Sequence, residues 1–173
     1  MDSNVHDYLP TNRRLASRLV GCRLTAVTRL LHSPPDEDLR FEWGPALLTG
    51  ESGQQWLLEP EESKANILIS DPEVIGGEDA SWFDWFGTRI PIADVSASSP
   101  LNFLLTDSIS LVEVINRAPE PGVPDSFEMS GIRLTTTPGC SVCVGTHLTD
   151  LMIPGVWFLL PDEVDPNLGY TIL

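Results

Sequence analysis

Two cysteines and a histidine near the end of the chain have the spacing of metal ligands. Cys140 and Cys143 are separated by two residues, and His147 follows four residues later. Structural zinc requires four ligands in a tetrahedral arrangement. Only a few other cysteines and histidines could complete the set: Cys22, His32 and His6.

The motif also falls on a predicted strand, where side-chain alternation turns Cys140 and Cys143 toward opposite faces. We therefore expect small apolar cysteines in a sheet, with a zinc site or a redox pair as the alternatives. A nucleophilic Cys143 with His147 as its base is a further alternative, although the sequence indicates no third group to orient the histidine. His147 and Asp150 more simply close a turn.

The other sequence signals of catalysis are missing. Residues 50–53, Gly-Glu-Ser-Gly, lack the G-x-S-x-G spacing of a nucleophile elbow and join two predicted strands. The sequence contains no phosphate-binding loop, dinucleotide fingerprint or H-E-x-x-H motif. Neighbouring carboxylates arise by chance among 25 acidic residues, so they indicate no glycosidase or metal site by themselves. We predict no catalytic residue, no metal site, no cofactor and no enzymatic activity, with an unrecognised metal-dependent site as the alternative.

The charge is strongly negative and unevenly distributed. The chain has 25 acidic and 10 basic residues, a formal net charge of −15. Residues 1–40 hold six arginines and five acids, and the remainder holds four basic and 20 acidic residues. Such a field repels nucleic acid and anionic membranes and speeds encounters with basic partners. The acidic surface either keeps the protein soluble or forms a docking surface, and Arg13, Arg14 and Arg18 either pair with it or form a separate basic site.

An aromatic segment lies in the middle of the chain, within a loop-rich stretch. The sequence Trp-Phe-Asp-Trp-Phe occupies residues 82–86, and acids lie close to it. The segment either covers an open end of a sheet or anchors a protein partner, since aromatic side chains in a charged rim are typical of binding hot spots. We predict six partner-binding residues, three aromatic anchors with a charged surround: Trp82, Trp85, Phe86, Glu78, Asp79 and Asp84.

Two stretches that lie 86 positions apart predict the fold. Residues 41–58 and 127–144 both read as β-hairpins, and without a gap Leu48 falls on Leu134 and Gly53 on Gly139. We predict a mainly β protein of one domain, 1–173, with two antiparallel four-stranded units at 22–70 and 102–160 that share one core. An aromatic and acidic insertion at 71–100 separates the units.

Shorter patterns predict the remaining elements. Thr11 or Asn12 is a helix cap, which predicts a short N-terminal helix through Leu19. Residues 22–32 alternate as a half-buried strand with Arg29 on its polar side, and residues 170–173 predict a closing strand.

The chain contains no apolar run of the ~20 residues that a membrane span needs. Early acids at Asp2 and Asp7, without a following apolar block, are unlike a secretory signal, and three cysteines are too few for a disulfide framework. We therefore expect a cytoplasmic protein that binds neither membranes nor nucleic acid.

This profile resembles the immunity proteins that bacteria pair with polymorphic or contact-dependent toxins. The shared features are small size, acidity, β-rich patterning, an excess of arginine over lysine and the aromatic segment at 82–86. The resemblance implies tight inhibition of a cognate toxin, often a basic nuclease or deaminase, by direct binding. The alternative is a structural or assembly subunit of a phage, secretion or defence complex.

Overall fold

The computed structural model describes residues 8–30, 39–41, 44–61, 66–71, 92–94, 101–118, 127–151 and 155–173. The elements of the first half are α1 (Tyr8–Ser17), β1 (Leu24–Leu30), a 3₁₀ turn (Leu39–Phe41), β2 (Ala46–Gly50), β3 (Gln55–Glu61), β4 (Asn66–Ser70) and β5 (Ile92–Asp94). Those of the second half are α2 (Phe103–Thr106), β6 (Ile109–Arg117), β7 (Phe127–Thr136), β8 (Ser141–Gly145), β9 (Trp157–Leu159) and β10 (Gly169–Ile172).

The strands form two antiparallel sheets with the same internal order. One sheet runs β4-β3-β2-β1-β5 and the other runs β9-β8-β7-β6-β10. The mainly β class, the two antiparallel units and the short N-terminal helix are therefore confirmed. Each sheet has a fifth strand beside the first strand of its unit. β5 pairs with β1 in the first sheet, and β10 pairs with β6 at the corresponding place in the second.

The hairpins of the two sheets have matching registers. Leu48 lies opposite Trp56 between β2 and β3, and Leu134 lies opposite Val142 between β7 and β8. The turns also match, because Gly53 and Gly139 adopt φ values of +83° and +95°. L-residues rarely adopt this conformation, so both turns require glycine at the corresponding position.

The two sheets share one core. Trp56 is the largest fully buried side chain, and its indole Nε1 donates to the carbonyl of Leu15 in α1 at 2.9 Å. The inner face of the first sheet contributes Val27, Leu48, Trp56, Leu58, Ile67 and Ile69. The facing side of the second sheet contributes Val112, Val114, Ile132, Leu134, Val142, Val144 and Phe158 to the same cluster. Neither layer has enough apolar area alone, so they bury it together.

The N-terminal helix begins earlier than the predicted cap. It starts at Tyr8, so Asn12 lies inside it and is 1% exposed. The Asn12 carboxamide donates to the carbonyl of Ile67 at 2.8 Å and accepts from the N–H of Ile69 at 2.9 Å. These backbone groups belong to β4, the edge strand of the first sheet, so one side chain supplies the bonds that a further strand would make.

A second asparagine joins the two sheets. Asn66, fully buried at the start of β4, accepts from the N–H of Met129 in β7 at 2.9 Å. Its amide donates to the hydroxyl of Tyr8 at 3.1 Å. The edge of the first sheet is thus tied both to α1 and to the second sheet.

The predicted polar position of Arg29 is wrong. A register shift between Leu24 and Ala26 breaks the alternation of β1, which is the effect of a β-bulge. Beyond the shift, Val27 and Arg29 face the core, and Arg29 is fully buried. Two other boundaries also differ: residues 103–106, predicted to open the second unit, form α2, and residue 41, predicted in a strand, lies in the 3₁₀ turn.

Replacing Asn12 with alanine is expected to lower the free energy of unfolding by about 2 to 4 kcal/mol, because two buried backbone groups of β4 lose their partner. Urea unfolding of Asn12→Ala measures the loss. The neighbouring exposed position supplies the control, since Arg13→Ala should change stability by less than about 0.5 kcal/mol. Equal stability of the two variants would contradict the assigned role of Asn12.

Candidate functional site

The predicted partner-binding residues lie between β4 and β5, outside the described residues: Glu78, Asp79, Trp82, Asp84, Trp85 and Phe86. Their role therefore stays a prediction. The described chain stops at Asp71 and resumes at Ile92, so these two residues mark where the predicted binding segment joins the sheet.

A polar cleft of about 300 Å³ lies at the first of these two points. It is lined by Arg18, Asp71 and residues 52–55 of the β2–β3 turn. Arg18 Nη1 lies 4.0 Å from Asp71 Oδ2, and both side chains are partly exposed. The cleft holds one cationic and one anionic side chain, so it does not favour a ligand of either charge.

Most arginines of the described framework lie against carboxylates. Five ion pairs join them: Arg18–Asp71, Arg23–Glu51, Arg40–Glu163, Arg117–Asp165 and Arg133–Glu113. The pairs at Arg18 and Arg23 are exposed and contribute little to stability, whereas the pair at Arg117 is buried. Within the part of the chain that the structure describes, Arg13 and Arg14 make no ion pair and are exposed.

The surplus negative charge belongs to the rest of the chain. The described ranges contain 12 acidic residues and eight arginines, a net charge of −4. The segments outside them contain 13 acidic and two basic residues, a net charge of −11. The predicted binding segment, residues 72–91, carries four acids and one arginine. The framework is therefore close to neutral, and the acidity of the protein comes mainly from the segments between its elements.

Arg117 and Asp165 form the buried ion pair of the second sheet. Arg117 Nη1 donates to Asp165 Oδ2 at 2.8 Å, and the two side chains are 6% and 7% exposed. Arg117 Nη2 also donates to the carbonyls of His147 and Thr149 at 3.1 and 3.0 Å. The N–H of Asn167 donates to Asp165 at 2.9 Å and, together with Arg117, lowers the pKa of this carboxyl. The pair fixes the segment after β8 against the turn before β10.

Arg29 binds backbone carbonyls from both halves of the chain. Its guanidinium donates to the carbonyls of Arg40 at 3.1 Å, Gly44 at 2.8 Å and Val156. It also lies 5.5 Å from the centroid of the Phe158 ring. Arg29 thus connects the segment before β2 with the strand β9 across the shared core.

A polar cluster occupies the outer face of the second sheet. Arg133 Nε donates to Glu113 Oε2 at 2.5 Å, and its guanidinium carbon lies 4.2 Å from the centroid of the Tyr170 ring. Since Arg133 already contacts a carboxylate and an aromatic ring, the cluster orders the side chains of β6, β7 and β10.

The cysteine and histidine motif is not assembled as a site. Cys140 is exposed in the turn before β8, and Cys143 is buried within the strand, where burial raises the pKa of its thiol to about 11. His147 lies after β8 with a φ of 54°, and its Nδ1 contacts Thr146 Oγ1 at 2.8 Å. Burial, and then Arg117, lower the pKa of His147. No hydrogen bond joins Cys143 to His147, and no group of three potential metal ligands occurs among the described residues.

Sequence reasoning missed the buried polar residues. Arg29 and Asn66 adjoin apolar residues and Asn12 adjoins two arginines, and none of the three has a spacing that distinguishes it from an exposed polar residue. The one available signal is the isolated Arg117, which is followed by a proline-rich loop and separated from other cations. Its partner Asp165 lies 48 positions away, so the pair emerges only from the fold.

Comparisons with protein-family models, curated proteins and solved structures found no match for this chain. Among the described residues, neither α1 nor α2 has the length and apolar character required to cross a membrane.

Replacing Asp165 with asparagine is expected to lower the free energy of unfolding by about 3 kcal/mol at neutral pH, because it removes the anion from a buried pair. The folded-state pKa of Asp165 lies below its ordinary value of 3.8. Its stabilisation is therefore present above pH 3.8 and is lost as the pH falls through the lowered value. Unfolding titrations at neutral and acidic pH should show the difference from wild type shrinking on acidification.

The control for this prediction is Asp162→Asn, which removes an exposed carboxylate from the same segment between β9 and β10. It should change stability by less than about 0.5 kcal/mol at either pH. A pH-independent loss in Asp165→Asn would show that hydrogen bonding, rather than charge, stabilises this turn.

The cysteines are expected to differ in reactivity toward a thiol reagent. Cys140 should react readily in the native protein, whereas Cys143 should react only after unfolding, since it is fully buried and its thiol resists ionisation. Counting the modified thiols in wild type, in Cys140→Ser and in Cys143→Ser measures the reactivity of each of these two cysteines. Fast native reaction that disappears in Cys143→Ser would restore the nucleophile hypothesis.

Proposed function

We propose that this chain is a protein-binding inhibitor of the immunity type, which neutralises a cognate bacterial toxin by direct binding. The partition of charge carries the proposal. The arginines of the sheets are largely offset by nearby carboxylates, whereas a net charge of −11 falls on the segments outside the described residues. We infer that the carboxylates of these segments meet a basic partner, because complementary charge steers association.

The scaffold supports this role. Two sheets with one shared core and buried polar hydrogen bonds form a rigid scaffold. Binding residues are commonly carried by loops that such a scaffold positions. A negative surface fits a groove built for an anionic substrate and speeds association with a basic protein. The proposed contact residues are those of the sequence analysis, with Trp82, Trp85 and Phe86 as anchors.

A structural or assembly subunit is the second candidate function, favoured by the repeated strand order of the two sheets. Light scattering separates the candidates. An assembly subunit should form particles whose mass grows with concentration, whereas an inhibitor should stop at a small closed species.

The first test is recovery of a partner, either from the source cell or by co-expression with the product of the neighbouring reading frame. The proposal predicts a stoichiometric complex that persists at moderate salt and suppresses the activity of that partner. Failure to recover any partner under these conditions would contradict the proposal.

The second test neutralises the predicted charged surround. A triple variant, Glu78→Gln, Asp79→Asn and Asp84→Asn, should slow association about tenfold at low salt. The matched control changes three exposed framework acids by the same charge: Glu128→Gln, Asp150→Asn and Asp162→Asn. Equal slowing in both variants would mean that net charge, rather than this segment, controls binding.

The third test removes the anchors. Trp82→Ala with Trp85→Ala should weaken the complex about 30-fold or more, mainly through faster dissociation, because buried aromatic anchors dominate interface energies. Unchanged affinity would remove this segment from the interface even if the complex itself is real.

A further inference from the structure

The two sheets treat their edges differently. At β4, the Asn12 carboxamide bonds to the outward-facing carbonyl of Ile67 and N–H of Ile69. At β10, the edge of the second sheet, no described residue occupies the corresponding outward groups. Among the described residues, Asn12 therefore caps the edge at β4, whereas no partner occupies the edge at β10.

The register identifies the unpaired groups. Thr171 lies opposite Val114 in β6, and the N–H of Leu173 donates to the carbonyl of Val112 at 3.1 Å. Because bonding alternates along an antiparallel strand, the backbones of 171 and 173 face β6. Those of Tyr170 and Ile172 consequently point away from the sheet, where each offers one donor and one acceptor.

β10 is short, with four residues, but it lacks the charges, proline and bulge that otherwise protect an edge. Residues 168–173 contain no charge and no proline, and the pairing of β10 with β6 shows no bulge. Ile172 is 68% exposed, one of the largest exposures of an apolar side chain in the described ranges. An uncharged edge strand with an exposed isoleucine is suited to pairing with another strand.

We propose that β10 pairs with β10 of a second copy of this chain, antiparallel and about a two-fold axis at Thr171. In this register Tyr170 of each copy lies opposite Ile172 of the other. Each of these two pairs exchanges two backbone hydrogen bonds, so all the outward groups of β10 gain partners. The strand is complementary to itself, as a two-fold interface requires.

Side chains favour the same register. Tyr170 and Ile172 lie on one face of the sheet, so the exposed Ile172 of each copy packs on the Tyr170 ring of the other. That ring is already held by Arg133, whose charge is compensated by Glu113. The net charge of −15 opposes self-association in general, but residues 168–173 themselves carry no acidic side chain.

The pairing gives a closed dimer and goes beyond the proposed function, since it needs no other protein. The five-stranded second sheets of the two copies become one ten-stranded sheet. The two-fold axis pairs β10 of one copy with β10 of the other, so neither β10 can accept a third copy. The contact involves few residues from each copy, so the dimer is expected to be weak, reversible and strengthened by salt, which screens repulsion between the acidic copies.

Site-specific crosslinking tests the register. In a Cys22→Ser, Cys140→Ser background, Thr171→Cys places two cysteines directly opposite each other at the axis. A non-hydrogen-bonded antiparallel pair separates Cα atoms by about 4.5 Å, within the range of a disulfide. Ile172→Cys in the same background places the two thiols diagonally, beyond that range. The proposal predicts a disulfide dimer on mild oxidation for Thr171→Cys and little for Ile172→Cys. Equal crosslinking of the two, or none for Thr171→Cys, would overturn it.

Sedimentation equilibrium of the uncrosslinked protein gives a second measurement. Ile172→Lys should raise the dimer dissociation constant about tenfold or more. Val20→Lys, at another exposed apolar position, makes the same charge change and should leave the constant unaltered. Both variants make the chain less negative, so a loss of dimer in Ile172→Lys alone does not arise from net charge. A wild-type chain that stays monomeric at near-millimolar concentration and high salt would overturn the proposal.

Discussion

The fold depends on the contact between the inner faces of two small sheets. Each sheet presents a row of leucine, isoleucine, valine and aromatic side chains, and each can remove that row from water only by covering the other. Trp56 on one side and Phe158 on the other fill the largest volumes of this layer. The helix α1 closes the layer at one side, with Leu9, Leu15 and Ala16 buried.

Buried polar side chains make this apolar contact specific. Apolar layers alone allow sheets to slide, since the driving force has no direction. Asn66 fixes β4 against β7, and Arg29 fixes the segment before β2 against β9. Each group would be unfavourable in the core without its partners, so the registers in which the partners are in place are strongly preferred. The described framework carries a net charge of −4, and the remaining −11 belongs to the segments outside it.

The sequence predicted those features that depend on local pattern. The hairpins β2–β3 and β7–β8 follow from alternating apolar residues and from glycines such as Gly53, which the turns require. The sequence also predicted a closing strand at 170–173.

By contrast, β5 has three residues inside a segment predicted as an insertion, and it is defined by pairing with β1 rather than by its own pattern. Arg29 was placed on the wrong face because a one-residue bulge reverses the alternation, and bulges leave no mark in residue type. Asn12 has the residue type of a helix cap, and only the position of β4 gives it a different role. For the candidate site, the six proposed contact residues stay a prediction. The expectation of two sheet cysteines is right for Cys143, which is buried in β8, and wrong for Cys140, which is exposed in the turn before it.

The central claim is that the two sheets form one cooperative unit through their shared core. Native-state hydrogen exchange tests this claim most directly. The central strands β2 and β7 lie in different sheets. If each sheet depends on the other, the amides of both strands should exchange through the same opening, with equal free energies and equal dependence on denaturant. Exchange of β2 through a separate opening at clearly lower free energy, while β7 stays protected, would contradict the account.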